Sequence, residues 1–209
     1  MDSASVTGAI LAGGQNASMD GLLKPLLPLE GITLIERQIR EMKRFCDEII
    51  VVASVPKPLF QVIDDSVRII TDFYPERGPL GGMHAALHLA KHEAVWITGC
   101  DMPFLSSDLA RRLFTDFSPS HDAVVPTLHG KPILLHAIYA KKCAPILSEL
   151  LAARESNIND CLGHIEWLGA PADSRLAAGN EQSDFSFSIH VPEDYIEAVR
   201  RLSGKKLKI

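Results

Sequence analysis

The sequence predicts an α/β fold in which helices cover both faces of a doubly wound, mostly parallel sheet. Apolar, strand-like runs alternate with amphipathic helical segments through the first half of the chain. Such alternation is typical of βαβ units, whose crossover helices lie on the faces of the sheet. The run AVWITG at residues 94–99 is apolar throughout, as expected of a strand that is covered on both faces. These patterns predict a three-layer α/β/α architecture in one domain that spans residues 1–209.

The elements of the first half follow in order from the same patterns. We predict strands over residues 6–12, 48–54, 67–71 and 94–99, and helices over residues 33–45, 82–92 and 107–117. Thr33 and Glu36 have the spacing of a capping box at the start of the first helix. Either Ser106 or Ser107 is expected to cap the helix over residues 107–117, because a serine oxygen accepts from free backbone amides there.

The second half has a looser pattern. Strands are predicted over residues 133–139, 165–169 and 185–189, with two helices between residues 141 and 165. The stretch over residues 169–184 is rich in Gly, Ala and Pro and is predicted to be an exposed loop. A final helix is predicted over residues 192–202, since Pro192 suits a first helical turn.

Composition and charge exclude several classes of protein. The net charge is −5 and the pI is about 5.9. These values argue against general nucleic-acid binding, since such binding depends on a basic surface. The sequence contains no run of eighteen or more apolar residues, so no membrane span is predicted. The first residues also lack the features of a secretory signal. The four cysteines are scattered without a CxxC pair, which favours reduced thiols over disulfides or a zinc site. We therefore expect a cytoplasmic protein.

A glycine-rich loop follows the first predicted strand. Gly13 and Gly14 allow a sharp turn whose backbone amides can face a phosphate, and Lys24 can add a positive charge. The segment is neither a Walker loop nor a GxGxxG dinucleotide loop. An ordinary strand-to-loop turn explains the two glycines equally well.

Two further loops follow the third and fourth strands of the first half. Asp72 begins one of them, which also contains Gly81 and Gly82, and Asp101 begins the other. Ligands of open α/β sheets bind at the edge where parallel strands end, and two carboxylates there can share one Mg²⁺. The alternative is that each aspartate caps a turn or a helix.

Four motifs give the chain a resemblance to a known family. These are LAGG…M…K, D…GPLGG, CDMPF and the closing segment FSFSIHVPEDYIEA, which is similar to NxNTPEDL. In this order and spacing they resemble the nucleotidyltransferases of the molybdenum cofactor guanylyltransferase type over nearly the whole chain. The resemblance implies a Rossmann-like nucleotidyltransferase fold and Mg²⁺-dependent transfer of GMP from GTP to the phosphate of molybdopterin, with release of pyrophosphate.

The resemblance also implies roles for individual residues. Lys24 and Asp101 would be catalytic, with Asp101 binding Mg²⁺. The nucleotide would be bound by seven residues: Leu11, Ala12, Gly13, Gly14, Lys24, Asp72 and Asp101. The acceptor would be bound by Gly81, Gly82, Lys131 and His190. Residues 1–115 would form the nucleotide half and residues 116–209 the acceptor half, with GTP, molybdopterin and possible contacts to other molybdenum cofactor proteins as partners.

The chain departs from the family pattern at several positions. Ser18 replaces an arginine, Asp20 replaces a glycine, Leu23 stands where an aspartate is usual, and Ser188 and His190 replace two asparagines. A serine cannot form the bidentate, charge-assisted hydrogen bonds that an arginine makes to phosphate. Two alternatives therefore stay open: a nucleotidyltransferase with another base or acceptor, such as CTP with molybdopterin or a sugar phosphate, and a non-catalytic nucleotide-binding homologue.

Three other features are interpreted structurally. His84, His88 and His92 are spaced four residues apart and are predicted to form a solvated polar stripe on one helix. Cys100 is predicted to be a packing residue, since small buried cysteines are common. A hairpin turn explains Lys131 as well as an acceptor site does.

Overall fold

The computed structural model describes residues 5–13, 23–172 and 184–206. Its strands are β1 (Val6–Leu11), β2 (Pro28–Leu29), β3 (Ile32–Thr33), β4 (Glu48–Val52), β5 (Arg68–Ile70), β6 (Ala94–Gly99), β7 (Ala123–Leu128), β8 (Lys131–Pro132), β9 (Ala137–Ala140) and β10 (Trp167–Pro171). Its α-helices are α1 (Leu34–Met42), α2 (Gly78–Leu89), α3 (Ser107–Thr115), α4 (Ala144–Ala152) and α5 (Pro192–Lys206). Short 3₁₀ helices cover Lys24–Leu26, Lys57–Gln61, Lys141–Cys143, Ile158–Gly163 and Asp184–Ser186.

One large sheet carries the fold. Its strand order is β10-β7-β9-β6-β1-β4-β5, with β8 paired to β7. The β4–β5, β1–β4, β1–β6 and β7–β10 pairs are parallel, whereas β9 runs antiparallel to both of its neighbours. The chain builds outward from β1 through β4 to β5 and then returns to place β6 on the other side of β1. The strand order therefore reverses between β1 and β6, and this is the position at which doubly wound sheets bind ligands.

Helices cover both faces of this sheet, which confirms the predicted three-layer architecture. On one face, α2 and α4 pack with Leu11, Val52 and Ile97 in one apolar cluster. On the other, α1 and α3 pack with Ile10, Val51 and the fully buried Trp96. Alternate residues of a strand point to opposite faces, so adjacent positions in β1 and β4 belong to different clusters.

Capping explains where α1 and α3 begin. The backbone amide of Glu36 donates to Thr33 Oγ1 at 3.3 Å, and the Thr33 amide donates to Glu36 Oε2 at 2.8 Å. This reciprocal pair is the predicted capping box. Ser106, rather than Ser107, caps α3, because its Oγ accepts from the Leu109 amide at 3.1 Å. Local sequence thus determined both helix starts.

Helix α2 begins earlier than predicted. It starts at Gly78 rather than near Gly82, with Pro79 in its first turn, where the missing amide costs no hydrogen bond. Gly78 itself lies in the left-handed region at φ 58°, which glycine adopts readily. The predicted start left Gly78 and Gly81 outside the helix, whereas tertiary packing accommodates them inside it.

Four predictions in the second half are wrong. Of residues 133–139 only Ala137 onward is strand, because residues 129 and 130, at φ 50° and 76°, first make a tight turn into β8. Residues 185–189 are not a strand, since the first two belong to the 3₁₀ helix Asp184–Ser186, and one of the two predicted helices is the 3₁₀ helix Ile158–Gly163. The loop predicted from residue 169 begins later, since β10 extends to Pro171; residues 173–183 lie outside the described ranges.

The prediction that His84, His88 and His92 form a solvated stripe on one helix is also wrong. Helix α2 ends before His92, and His84 is buried, while His88 is exposed. The His84 ring meets Tyr74 edge to face with centroids 5.1 Å apart, and its Nε2 lies 2.8 Å from Ser148 Oγ of α4. The packing of α4 and of the loop after β5 against α2 buries this face.

No helix among the described residues has the length and apolar character needed to cross a membrane.

Candidate active site

Six of the residues singled out from sequence for nucleotide binding line one cleft at the reversal point. They are Leu11, Ala12, Gly13, Lys24, Asp72 and Asp101; Gly82, singled out for the acceptor, lines it too. The seventh nucleotide residue, Gly14, lies outside the described residues, as do Ser18 and Asp20. The cleft lies where β1, β5 and β6 end. The glycine-rich loop and the two loops that begin with Asp72 and Asp101 therefore meet there, as the topology requires.

Backbone hydrogen bonds hold the strand ends together at this cleft. The Ala12 amide donates to Val52 O at 2.7 Å, and the Cys100 amide donates to Leu11 O at 3.0 Å. The ends of β4, β1 and β6 are therefore tied in register up to the point where the loops begin. Gly13 then follows as an exposed residue at the mouth of the cleft.

A short 3₁₀ turn positions Lys24. The turn covers Lys24–Leu26, and Pro25 within it is buried. Immediately after it, Leu27 and Leu29 pack with Phe104 in a third apolar cluster. The backbone of Lys24 is thereby anchored to the core while its side chain is only half-buried at the cleft.

Asp101 lies across the cleft in the turn after β6. Burial raises the pKa of its carboxyl above the ordinary value, and the charges of His190 and Lys24 lower it in part. A Cβ atom on Gly99 would lie 2.6 Å from Asp101 Oδ1, so this side chain needs a glycine beneath it. A half-buried carboxylate with too little compensating charge is stabilised by a cation that binds next to it.

The thiol of Cys100 takes no part in this chemistry. The residue is buried, and burial raises the pKa of the thiol to about 12, so it stays protonated at neutral pH. The interpretation as a packing residue is confirmed.

Gln38 holds the turn that carries Asp101, and sequence analysis missed it. Its Nε2 donates to Gly99 O at 2.8 Å and to Met102 O at 2.9 Å, and the whole residue is buried in α1. The signal was present in the sequence: Gln38 occupies a position of α1 whose helical neighbours Ile35 and Ile39 form the apolar face. A polar residue on such a face requires a buried partner.

We expect Gln38→Leu to lower the free energy of unfolding by about 1–3 kcal/mol, because two carbonyls lose a buried donor. For a chain of this size that lowers Tm by roughly 2–4 °C per kcal/mol. Gln38→Glu should be worse at neutral pH, since a carboxylate would face two carbonyl oxygens. Thermal unfolding measures both, with Gln61→Leu on an exposed 3₁₀ position as the matched control. Equal Tm values for all three variants would contradict the assignment.

The closing segment of the chain is also tied to Asp101. The Ile189 amide donates to Asp101 O at 2.8 Å, and His190 Nδ1 lies 3.7 Å from Asp101 Oδ2. Asp194 fixes this segment, because its Oδ2 accepts from the amides of His190 at 2.8 Å and Val191 at 3.0 Å. These hydrogen bonds lower the pKa of Asp194, so it stays ionised. Sequence analysis had not assigned a role to Asp194.

Comparison with known proteins identifies the family. Residues 8–164 match the family model of the MobA-like NTP transferase domain. The chain belongs to this family. It is accordingly a nucleotidyltransferase, as predicted.

Relatives and solved structures agree with this family. The chain is 33% identical to the molybdenum cofactor guanylyltransferase of Desulfosudis oleivorans over 70% of this chain and 71% of that protein. It is 29% identical to a probable molybdenum cofactor guanylyltransferase of Carboxydothermus hydrogenoformans over 97% of this chain and 99% of that one. The crystal structure of molybdopterin-guanine dinucleotide biosynthesis protein A from Archaeoglobus fulgidus has the same fold, with a TM-score of 0.80 and 24% identity over 95% of this chain and 99% of that one.

Two of the positions that the family resemblance assigned to the acceptor, Gly81 and Lys131, do not line the cleft. Gly81 is buried in α2, where a Cβ atom would come within 2.9 Å of Tyr74 O, so close packing accounts for this glycine. Lys131 is exposed in β8, beyond the tight turn from β7, as the hairpin interpretation predicted. Of these acceptor positions, Gly82 lines the cleft, whereas Gly81 and Lys131 are not among the described residues that line it.

The donor atoms at the cleft suit a divalent cation that is shared with a substrate. The described ranges contain no cluster of three or more His, Cys, Asp or Glu residues that could hold a metal alone. Mg²⁺ in phosphoryl-transfer sites is commonly held by one or two carboxylates together with substrate phosphates. Asp101 with a bound triphosphate fits that arrangement.

Proposed function

We propose that this nucleotidyltransferase transfers GMP from GTP to the phosphate of molybdopterin and uses a divalent cation held by Asp101. One observation carries the proposal: Lys24 and Asp101 line a single cleft with the end of β1, at the reversal point of the sheet. The names of the two relatives, at 33% and 29% identity, support guanine as the base and molybdopterin as the acceptor.

The chemistry needs no general base from the protein. The terminal phosphate of molybdopterin is already an anionic nucleophile, so no proton has to be removed. One of its oxygens forms a bond to the α-phosphorus of GTP, and the bond from that phosphorus to the bridging oxygen breaks. The electron pair of the broken bond leaves with pyrophosphate.

The residues of the cleft then act through position and charge. The backbone after β1 holds the nucleotide, with Leu11, Ala12 and Gly13 against it. Lys24 places a positive charge beside the phosphates, where negative charge increases in the transition state. Asp101 would hold the divalent cation, which when bound offsets phosphate charge and orients the leaving group.

A thermal-shift panel of GTP, CTP, ATP and UTP with Mg²⁺ tests the proposal. A ligand at one hundred times its Kd stabilises the fold by about 2.7 kcal/mol. For a chain of this length that is roughly 5–10 °C. We expect a GTP-selective shift that Asp101→Ala removes and that Asp108→Ala, on the exposed side of α3, retains.

Pyrophosphate release with molybdopterin then tests the transfer itself. A shift for CTP alone would replace guanine by cytosine in the proposal. Binding of GTP without pyrophosphate release, with molybdopterin supplied, would make the chain a nucleotide-binding homologue without this activity. No shift for any nucleotide would overturn the proposal.

A further inference from the structure

We propose that His190 is a direct ligand of the divalent cation beside Asp101, and that this imidazole makes the site selective for Mn²⁺ over Mg²⁺. The inference rests on the proposed function, in that the cation belongs to the nucleotidyl-transfer site. It goes further by naming a second protein ligand and the metal class that follows from it.

The backbone brings His190 to this place and keeps it there. Ile189 is fully buried with Leu29, Leu34 and Phe104, and its amide donates to Asp101 O at 2.8 Å. The segment is thus attached to the same residue that would hold the cation.

The N-terminus of α5 provides a second attachment. Asp194 lies in the first turn of α5 and accepts from the backbone amides of both His190 and Val191. Two independent sets of hydrogen bonds therefore fix the backbone on either side of His190 and keep its Cα close to Asp101.

The separation of the two side chains matches two ligands of one ion. His190 Nδ1 lies 3.7 Å from Asp101 Oδ2, which is too long for a hydrogen bond between them. Two donors that are each about 2.1 Å from a shared ion are roughly 3.0–3.6 Å apart for angles between 90° and 120°. A small rotation of either side chain closes that difference.

The imidazole has the freedom for such a rotation. Its side chain is 70% exposed, whereas that of Asp101 is 21% exposed. The carboxylate is therefore the desolvated partner and gains most from a cation. His190 can add a neutral nitrogen without bringing a further charge to the site.

An imidazole changes which metal the site prefers. Mg²⁺ takes oxygen ligands and gives up its water reluctantly, whereas first-row divalent metals accept an imidazole nitrogen with an affinity that is lowest for Mn²⁺ and rises toward Cu²⁺. A site with one carboxylate oxygen and one imidazole nitrogen therefore gains affinity for Mn²⁺ and little for Mg²⁺. Removing the imidazole should reduce the Mn²⁺ preference and leave Mg²⁺ binding nearly unchanged.

Pulsed EPR of Mn²⁺ bound to the full chain tests the ligand directly. The probe is Mn²⁺ with inorganic tripolyphosphate, which supplies the phosphate oxygens of the substrate and contains no nitrogen, so that any ¹⁴N coupling arises from the protein. We expect ¹⁴N coupling in the native protein, its loss in His190→Asn, and its retention in the control His164→Asn, which alters another exposed histidine. The Mn²⁺ affinity of His190→Asn should fall at least about tenfold. Mg²⁺ affinity, measured by competition, should fall much less.

Three results would contradict the inference that His190 binds the cation. Mn²⁺ that binds in an Asp101-dependent way with the same ¹⁴N coupling in His190→Asn would overturn the inference, as would equal losses of Mn²⁺ and Mg²⁺ affinity. Absence of Asp101-dependent Mn²⁺ binding, both with tripolyphosphate and with GTP, would overturn it too.

The proposed function fails by a different measurement. If GTP binding and pyrophosphate release persist while the ¹⁴N coupling is absent, the transferase proposal stands and the His190 inference fails. If no nucleotide binds while His190-dependent Mn²⁺ binding persists, the metal ligand stands and the transferase proposal fails.

Discussion

Asp101→Asn is expected to lower nucleotidyl transfer by at least about 10²-fold, because the cation loses its carboxylate ligand and transition-state charge is no longer offset. The same substitution is expected to raise the Tm of the free protein near neutral pH. Burial raises the pKa of Asp101, so the folded state binds its proton more tightly than the unfolded state does. The ionised side chain therefore destabilises the free fold above its pKa, and an amide of the same shape removes that penalty.

The sign of the pH dependence follows from the raised pKa. As the pH falls through the folded-state pKa, Asp101 takes up a proton and its destabilising effect shrinks, and the effect disappears below the ordinary pKa that the side chain has in the unfolded state. The Tm difference between Asp101→Asn and the native protein should therefore be largest near neutral pH and should shrink in acid. Other carboxylates titrate equally in both proteins, so this difference isolates Asp101.

Paired thermal unfolding and pyrophosphate-release assays measure the two effects. Asp65→Asn, at an exposed turn before β5, is the matched control and should change neither. A loss of stability in Asp101→Asn that persists across the pH range would mean that the carboxylate supports the free fold. Full activity would remove Asp101 from the proposed mechanism.

Lys24→Met is expected to lower kcat/KM about ten- to a hundredfold. A hydrogen bond to a charged group contributes about 1.5–3 kcal/mol, and each 1.4 kcal/mol lost from the transition state is about tenfold in rate. The buried neighbour Pro25 and the 3₁₀ turn hold the backbone in place, so the fold should be retained. Methionine keeps the apolar stem and removes only the charge.

Steady-state kinetics with varied GTP and Mg²⁺ checks this prediction. Lys57→Met is the matched control, because Lys57 begins another 3₁₀ helix and is exposed away from the residues that line the cleft. A loss confined to KM would assign Lys24 to ground-state binding of the phosphates rather than to the transition state. Unchanged kcat/KM would contradict its proposed role.

The predictable part of the site consists of residues that follow strands. Gly13, Asp72 and Asp101 each lie just after an apolar run, and parallel strands end at one edge, so their meeting could be expected from order alone. Their roles came from the family motifs. Lys24 was found in the same way, although only the core packing around it explains why it faces the cleft.

The two residues that sequence analysis missed differ in the range of their contacts. Gln38 reaches the turn of Asp101 from α1, far away in sequence, whereas Asp194 accepts from the nearby amides of His190 and Val191. His84 was misassigned because helical spacing describes one helix and not the elements that pack on it. The shift of the α2 start to Gly78 has a related cause, since the glycines of that helix are accommodated by close packing.

The sequence by itself determined the layered α/β class, the capped starts of α1 and α3, and the three loops at the strand ends. Each depends on residues that are neighbours along the chain, where periodicity, capping and backbone freedom act directly. The tertiary structure alone decided that Gln38 and His190 come together at the turn of Asp101. Their partners lie far away in sequence, and only the packing of α1, α5 and the sheet brings them within hydrogen-bonding distance or, for His190, within reach of a shared cation.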